Sequence, residues 1–175
     1  MAEHLIFEAG EQTLGLAVDC VREVVRAVSL SPPVGQESFV EGLLNLRGQV
    51  VPVVDLGQRL NLQMPALAES DYLVVLSDQN DRLCAVRACG QVRLTSEAEL
   101  VADTSSDADD ELPAIASETN SNGHADSPLT ASYVKVNRLI VPLLNPEALS
   151  KTAYSVVKAS GVTESAITEH AEGHE

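Results

Sequence analysis

Three observations in the 175-residue sequence predict an all-β chain with a short C-terminal helix. Apolar residues come in about eight to ten runs of four to eight residues, the length of strands rather than of amphipathic helices. Gly, Asn, Asp and Pro punctuate those runs at short intervals. The clear helix start, Asn145-Pro146-Glu147, follows the last run. Together these are the signature of the barrel or sandwich class.

Taken in order, LIF at 5–7 and LGLAV at 14–18 flank EAGEQT and predict a hairpin, with Gly10 suited to the turn. Val21 to Arg26 follows. As a strand it puts Val21, Glu23 and Val25 on one face and Arg22, Val24 and Arg26 on the other, and it can equally open as a helical turn. Leu43–Leu46 and Gln49–Val54 meet at Arg47-Gly48, where glycine supplies a positive φ. Pro52 lacks a ladder donor, which places its strand at an edge or turns that position away from a neighbour. Asp55 can cap a short helical turn at LGQRL. Tyr72–Ser77 and Arg82–Cys89 flank DQND, and Tyr133–Val136 and Leu139–Leu144 flank Asn137-Arg138, giving two more hairpins. Asn145 then caps a helix with Pro146 at its first position.

Charge excludes several functions. Eleven Lys and Arg face 26 Asp and Glu, for a formal charge of −15. Nucleic-acid binding needs clustered cations, and single-strand binding adds aromatic platforms; here the cations are scattered and aromatics are 3% with no Trp. The apolar runs are far below the ~20 residues that span a bilayer. The start, MAEHLIFEAGEQ, does not read as a secretory leader. Three cysteines, Cys20, Cys84 and Cys89, make no C-x-x-C pair and no disulfide framework. A cytoplasmic protein is the expectation.

The charge is also uneven. Between Arg93 and Lys135 stand nine acidic residues and no Lys or Arg. Residues 95–128 are therefore read as a solvated, flexible insert, and 151–175, small and polar, as a flexible tail around a folded unit of 1–150.

Chemistry-bearing motifs are weak. None of His4, His124, His170 and His174 stands at the edge of a predicted strand where it could serve as a base. Cys84 and Cys89, five apart, point to opposite faces of one strand and read as small buried apolar residues. The run Asp107, Asp109, Asp110, Glu111 lacks the glycine of a calcium loop. No catalytic residue, cofactor or metal is expected.

Residues 40–62, VEGLLNLRGQVVPVVDLGQRLNL, are different in kind. They resemble the signature of the CheW family, the chemotaxis coupling proteins, with Gly42, Asn45, Leu46, Arg47, Gly48, Pro52, Asp55 and Leu56 all in place. LIF, LGLAV and Val21-Arg22-Glu23-Val24 match the family's opening, and YVKVNRLIVPLLNPEAL its end. The resemblance covers about residues 5–150 without the acidic insert. It implies two small five-stranded SH3-like barrels packed together. Two positions depart from the pattern: Arg87 follows Val86 where the family usually has an acidic residue, and Gly57 follows Asp55-Leu56 where it usually has arginine.

The resemblance further implies a non-catalytic adaptor. Its partners would be the regulatory domain of a CheA-type histidine autokinase and the cytoplasmic tip of a methyl-accepting chemoreceptor, which would recruit it to arrays at the inner membrane. It places Val21, Glu23, Gly42 and Arg47 at or near partner contacts. Each has a plainer reading. Arg47 can complete its turn or pair with Asp55 or another carboxylate, Gly42 can be a backbone requirement, and Glu23 a solvated face residue. Two rival functions remain: an adaptor for type IV pilus motility or gene regulation, and a stand-alone acidic barrel binding a small ligand or a basic protein. The last would lose binding steeply with salt.

Overall fold

The structure is a computed structural model and describes residues 2–33, 39–100 and 129–159. Eleven strands and two α-helices occur among the described residues. The first half holds β1 (His4–Ala9), β2 (Gln12–Ala17), a 3-10 turn (Val18–Cys20), β3 (Val21–Arg26), β4 (Val40–Leu46), β5 (Gln49–Val54) and α1 (Leu56–Leu60). The second holds β6 (Tyr72–Ser77), β7 (Leu83–Ala88), β8 (Val92–Thr95), β9 (Glu99–Leu100), β10 (Thr130–Val136), β11 (Leu139–Leu144) and α2 (Pro146–Ala159).

Each half lends its first hairpin to the other. One sheet has the order β3-β6-β7-β5-β4 and the other β8-β1-β2-β11-β10-β9. In the first, β5 runs parallel to β7 through Val53 opposite Ala85; in the second, β11 runs parallel to β2 through Leu143 opposite Gly15. The two sheets form the two small SH3-like barrels the family resemblance implies, with the second gaining a sixth strand of two residues, β9.

The halves repeat one plan. Register shifts fall between Val40 and Gly42 and between Thr130 and Ser132, opposite Val54/Val53 and Leu144/Leu143, every number differing by 90 as 40 and 130 do. Arg47-Gly48 and Asn137-Arg138 make the same reversal, all four with positive φ, the backbone of a two-residue hairpin turn. Pro52 and Pro142 stand at the same place, and Asp55 and Asn145 cap the helices that follow, accepting from the Gln58 and Glu147 amides at 2.9 and 3.0 Å.

Continuous apolar runs become strands buried on both faces. In β6, Leu73 and Val75 point into the five-stranded barrel, while Val74 and Leu76 point into the largest apolar cluster, which lies where the barrels meet. In β1, Ile6 points into the six-stranded barrel and Leu5, Phe7 and Ala9 into the shared cluster. Period-two alternation thus serves two cores at once.

Several expectations need correction. β5 is not an edge strand, because it lies between β7 and β4. The missing donor of Pro52 costs no ladder bond to β4, since its opposite number, Leu43, exchanges both backbone bonds with Ser31 at 2.8 and 3.0 Å. Of the two readings of Val21–Arg26 the strand holds over the whole segment, and a 3-10 turn, Val18–Cys20, precedes it. His4 does stand on a strand: it opens β1 and is buried. β8 and β9 were not expected, and β9 falls inside the range assigned to the insert; residues 101–128 lie outside the described residues. The helix α2 runs to Ala159, nine residues into the expected tail, because Leu149 and Ala153, one turn apart, bury in the shared core and the Tyr154 hydroxyl reaches the Leu83 carbonyl. Residues 160–175 lie outside the described residues.

Candidate protein-interaction site

The signature segment divides its labour residue by residue. The Asn45 side chain accepts from the Gly48 amide at 2.8 Å and closes the β4–β5 turn, while Gly48, at φ 90°, takes a conformation few other residues adopt. Asp55 caps α1, and the buried Leu56 joins the shared core. Gly42 is also structural. A Cβ there would lie 2.6 Å from the Leu30 Cβ and 2.9 Å from the Ser31 carbonyl, so a side chain would push away the segment that closes the barrel against β4.

Arg47 is left with no task in the turn, and its side chain reaches across to β3. Nη2 donates to Glu23 Oε2 at 2.7 Å and Nη1 to Oε1 at 3.1 Å, a bidentate fork. β3 and β4 are the two ends of the five-stranded sheet. The pair therefore spans the barrel's seam. It does so in the open: the Arg47 side chain is 77% exposed and that of Glu23 27%. An exposed pair of this kind adds about 0.2–1 kcal/mol to stability. Val24 on β3 and Val50 on β5 are also exposed, with Val24 on the opposite face of its strand from Glu23.

Of the four residues assigned to partner contacts, then, Glu23 and Arg47 meet. Val21 lies two residues from Glu23, half-buried and packed on the shared core, and Gly42 is buried against Leu30. Of the partners considered for Arg47, Glu23 is the carboxylate found, not Asp55.

A second charged group escaped sequence reasoning. Arg87, the residue that departs from the family pattern, is buried with Asp71 and paired with the half-buried Glu41. Its partners lie 46 and 16 residues away, beyond any local pattern; an arginine between Val86 and Ala88 in an apolar strand was the available signal. Gly57, the other departure, lets Met64 approach, since a Cβ there would stand 2.8 Å from the Met64 Cγ.

The thiols are quiescent. Burial pushes Cys84 up to about 12 and Cys20 up to about 11, so neither is a thiolate at neutral pH. No helix among the described residues is long and apolar enough to cross a membrane.

Comparison with known proteins agrees with this architecture. The CheW-like domain model matches residues 3–153. The chemotaxis protein CheW of Thermotoga maritima is 32% identical over 94 residues, 53% of this chain and 62% of that protein. The CheW of Treponema pallidum is 31% identical over 81 residues, 44% of this chain and 48% of that protein. The matches thus span about half to three-fifths of these relatives' length. Among solved structures, the scaffolding protein TtCheW from Thermoanaerobacter tengcongensis superposes with a TM-score of 0.60 at 19% identity, over 82% of this chain and 84% of that one, which shows a shared fold. With the family model covering nearly all of the described residues, this chain belongs to the CheW-like domain family.

Proposed function

We propose that the chain is a non-catalytic scaffold of the cytoplasm that couples the cytoplasmic tip of a methyl-accepting chemoreceptor to the regulatory domain of a CheA-type histidine kinase. On this reading it is recruited to receptor arrays at the inner membrane. The observation that carries the reading is the seam-spanning Arg47–Glu23 pair. It is exposed and contributes little stability. An exposed arginine held in a bidentate fork suits a protein contact, in which a partner's surface desolvates the pair. Family membership supplies the class of partner. Val21 packs on the shared core two residues before Glu23 and would hold the start of β3 in place, and Gly42 acts through the backbone.

The test is reconstitution. The purified chain, mixed with a receptor cytoplasmic fragment and a CheA-type kinase from the same host, is expected to bring both into one complex on size exclusion and to make kinase activity respond to the receptor. Separate elution of the three proteins would contradict the proposal. Motility assays of a gene deletion, swimming against twitching, separate chemotaxis from pilus control.

A further inference from the structure

Residues 61–71 form a strap from α1 to β6, joining the two halves of the chain. A buried guanidinium holds it. Arg87 Nη1 and Nη2 each donate to the Pro65 carbonyl at 2.9 Å, and Nη1 donates to Asp71 Oδ2 at 3.2 Å. On its other side Arg87 Nε lies 2.9 Å from Glu41 Oε1 on β4. Asp71 completes the seat: its Oδ2 accepts from the Ala68 amide at 3.1 Å, and its carbonyl accepts from the Ala27 amide at 3.0 Å, just past β3. The Arg87 and Asp71 side chains are 4% and 5% exposed and that of Glu41 21%.

One cation is thus shared between an anion on the strap and an anion on the barrel. The charged groups that act on Glu41 among the described residues are Arg87 from β7, Asp55 from the end of β5 and Asp71 from the strap. Two of these three are negative.

We propose that this cluster is an adjustable clasp: Arg87 is the positioning residue, Glu41 competes with the strap for it, and the strap seats more firmly when Glu41 is neutral. When Glu41 takes a proton, Arg87 belongs to Asp71 and Pro65 alone, and the repulsion between Glu41 and Asp71 disappears. Burial, opposed by Arg87 and reinforced by Asp55 and Asp71, pushes the Glu41 carboxyl above its ordinary value. The inference stands on these contacts and is independent of the proposed function.

Amide hydrogen exchange on the full chain tests it, reading Ala68 and Asp71 on the strap against Val74 and Val75 of β6. At pH 7, Glu41→Gln is expected to slow strap exchange by about 3- to 10-fold, and Arg87→Met to speed it by at least about 10-fold, with β6 unchanged. The wild type should gain strap protection, after correction for intrinsic rates, as pH falls through the raised folded value of Glu41 toward the ordinary carboxylate range. Equal or faster strap exchange in Glu41→Gln would overturn the proposal, because a merely structural ion pair loses stability when either partner is neutralised. Should Arg87→Met loosen β6 as well, the Glu41→Gln measurement decides alone.

Discussion

The two barrels follow one backbone plan and spend their charges differently. Arg47 in the five-stranded barrel corresponds to Asn137 in the other, both with positive φ in the same turn. Glu23 opposes Val75, which pairs with Ala85, and in the six-stranded barrel Arg93 opposes Ile6, which pairs with the equivalent Gly15. Neither member of the ion pair is repeated. Arg87 likewise has Ala17 as its counterpart, because Ala85 faces Val53 as Gly15 faces Leu143, and Ala17 is exposed. A barrel of this plan therefore forms without the seam pair and without the buried arginine. Residues that the fold does not demand in one barrel are the ones to examine for function in the other.

The largest break in the comparison should come at Arg87. Arg87→Ala leaves Glu41 and Asp71 facing each other without a cation and is expected to cost about 3–5 kcal/mol in denaturant unfolding. Arg87→Met removes the same cation while keeping most of the side-chain volume, and should cost a similar amount, about 3–5 kcal/mol. A much smaller loss for Arg87→Met would mean that lost packing, not the missing cation, is what destabilises the alanine variant.

Gly42 and Ser132 hold equivalent positions at the two register shifts. Gly42→Ala forces a Cβ to 2.6 Å from Leu30 and is expected to cost about 1–3 kcal/mol, read as a lowered melting temperature. Ser132→Ala should change little. A neutral Gly42→Ala would show that the closing segment 27–31 yields easily.

A smaller effect distinguishes the two hairpin turns the halves exchange. The β6–β7 turn is tied to α2: Ser150 donates to Asp78 Oδ2 at 2.7 Å, and Glu147 accepts from the Gln79 amide at 2.7 Å. Burial pushes the Asp78 carboxyl up, but the Ser150 hydroxyl, the Arg82 guanidinium and the amides of Arg82 and Asn80 outweigh it and hold it below its ordinary 3.8. A depressed carboxyl stabilises the fold above its unfolded value and loses that contribution as pH falls through the folded one. Ser150→Ala should thus cost about 1 kcal/mol at pH 7 and progressively less as pH falls below the ordinary carboxylate range toward the depressed folded value of Asp78. A pH-independent loss would indicate that packing, not the carboxylate, is what Ser150 serves.

Much of this was legible in the sequence, for local reasons. Gly10, Arg47-Gly48, DQND and Asn137-Arg138 mark the hairpins because turn conformations select those residues, and Asp55 and Asn145 announce the helices they cap. β8 and β9, of four and two residues, carry too few alternations to declare themselves. The full length of α2 was hidden because its buried face beyond Ser150 is made of Ala153 and Tyr154 rather than a run of leucines. The repeat itself was present in VVPVVD and IVPLLN, ninety residues apart as Pro52 and Pro142 are, and needed only to be aligned. The candidate site was half legible. Arg47 and Glu23 could each be named, but their meeting depends on closure of a sheet across 24 residues, which no local pattern encodes.

The direct test of the central claim compares equivalent positions in the two barrels. Calorimetric titration of the CheA-type kinase regulatory domain and of the receptor tip should be run with wild type, Arg47→Glu and Asn137→Glu, each checked for an unchanged melting temperature. At least one partner is expected to bind Arg47→Glu about 10-fold more weakly or worse, equivalent to about 1.4 kcal/mol, while Asn137→Glu binds as wild type. Wild-type affinity of Arg47→Glu for both partners would contradict the account.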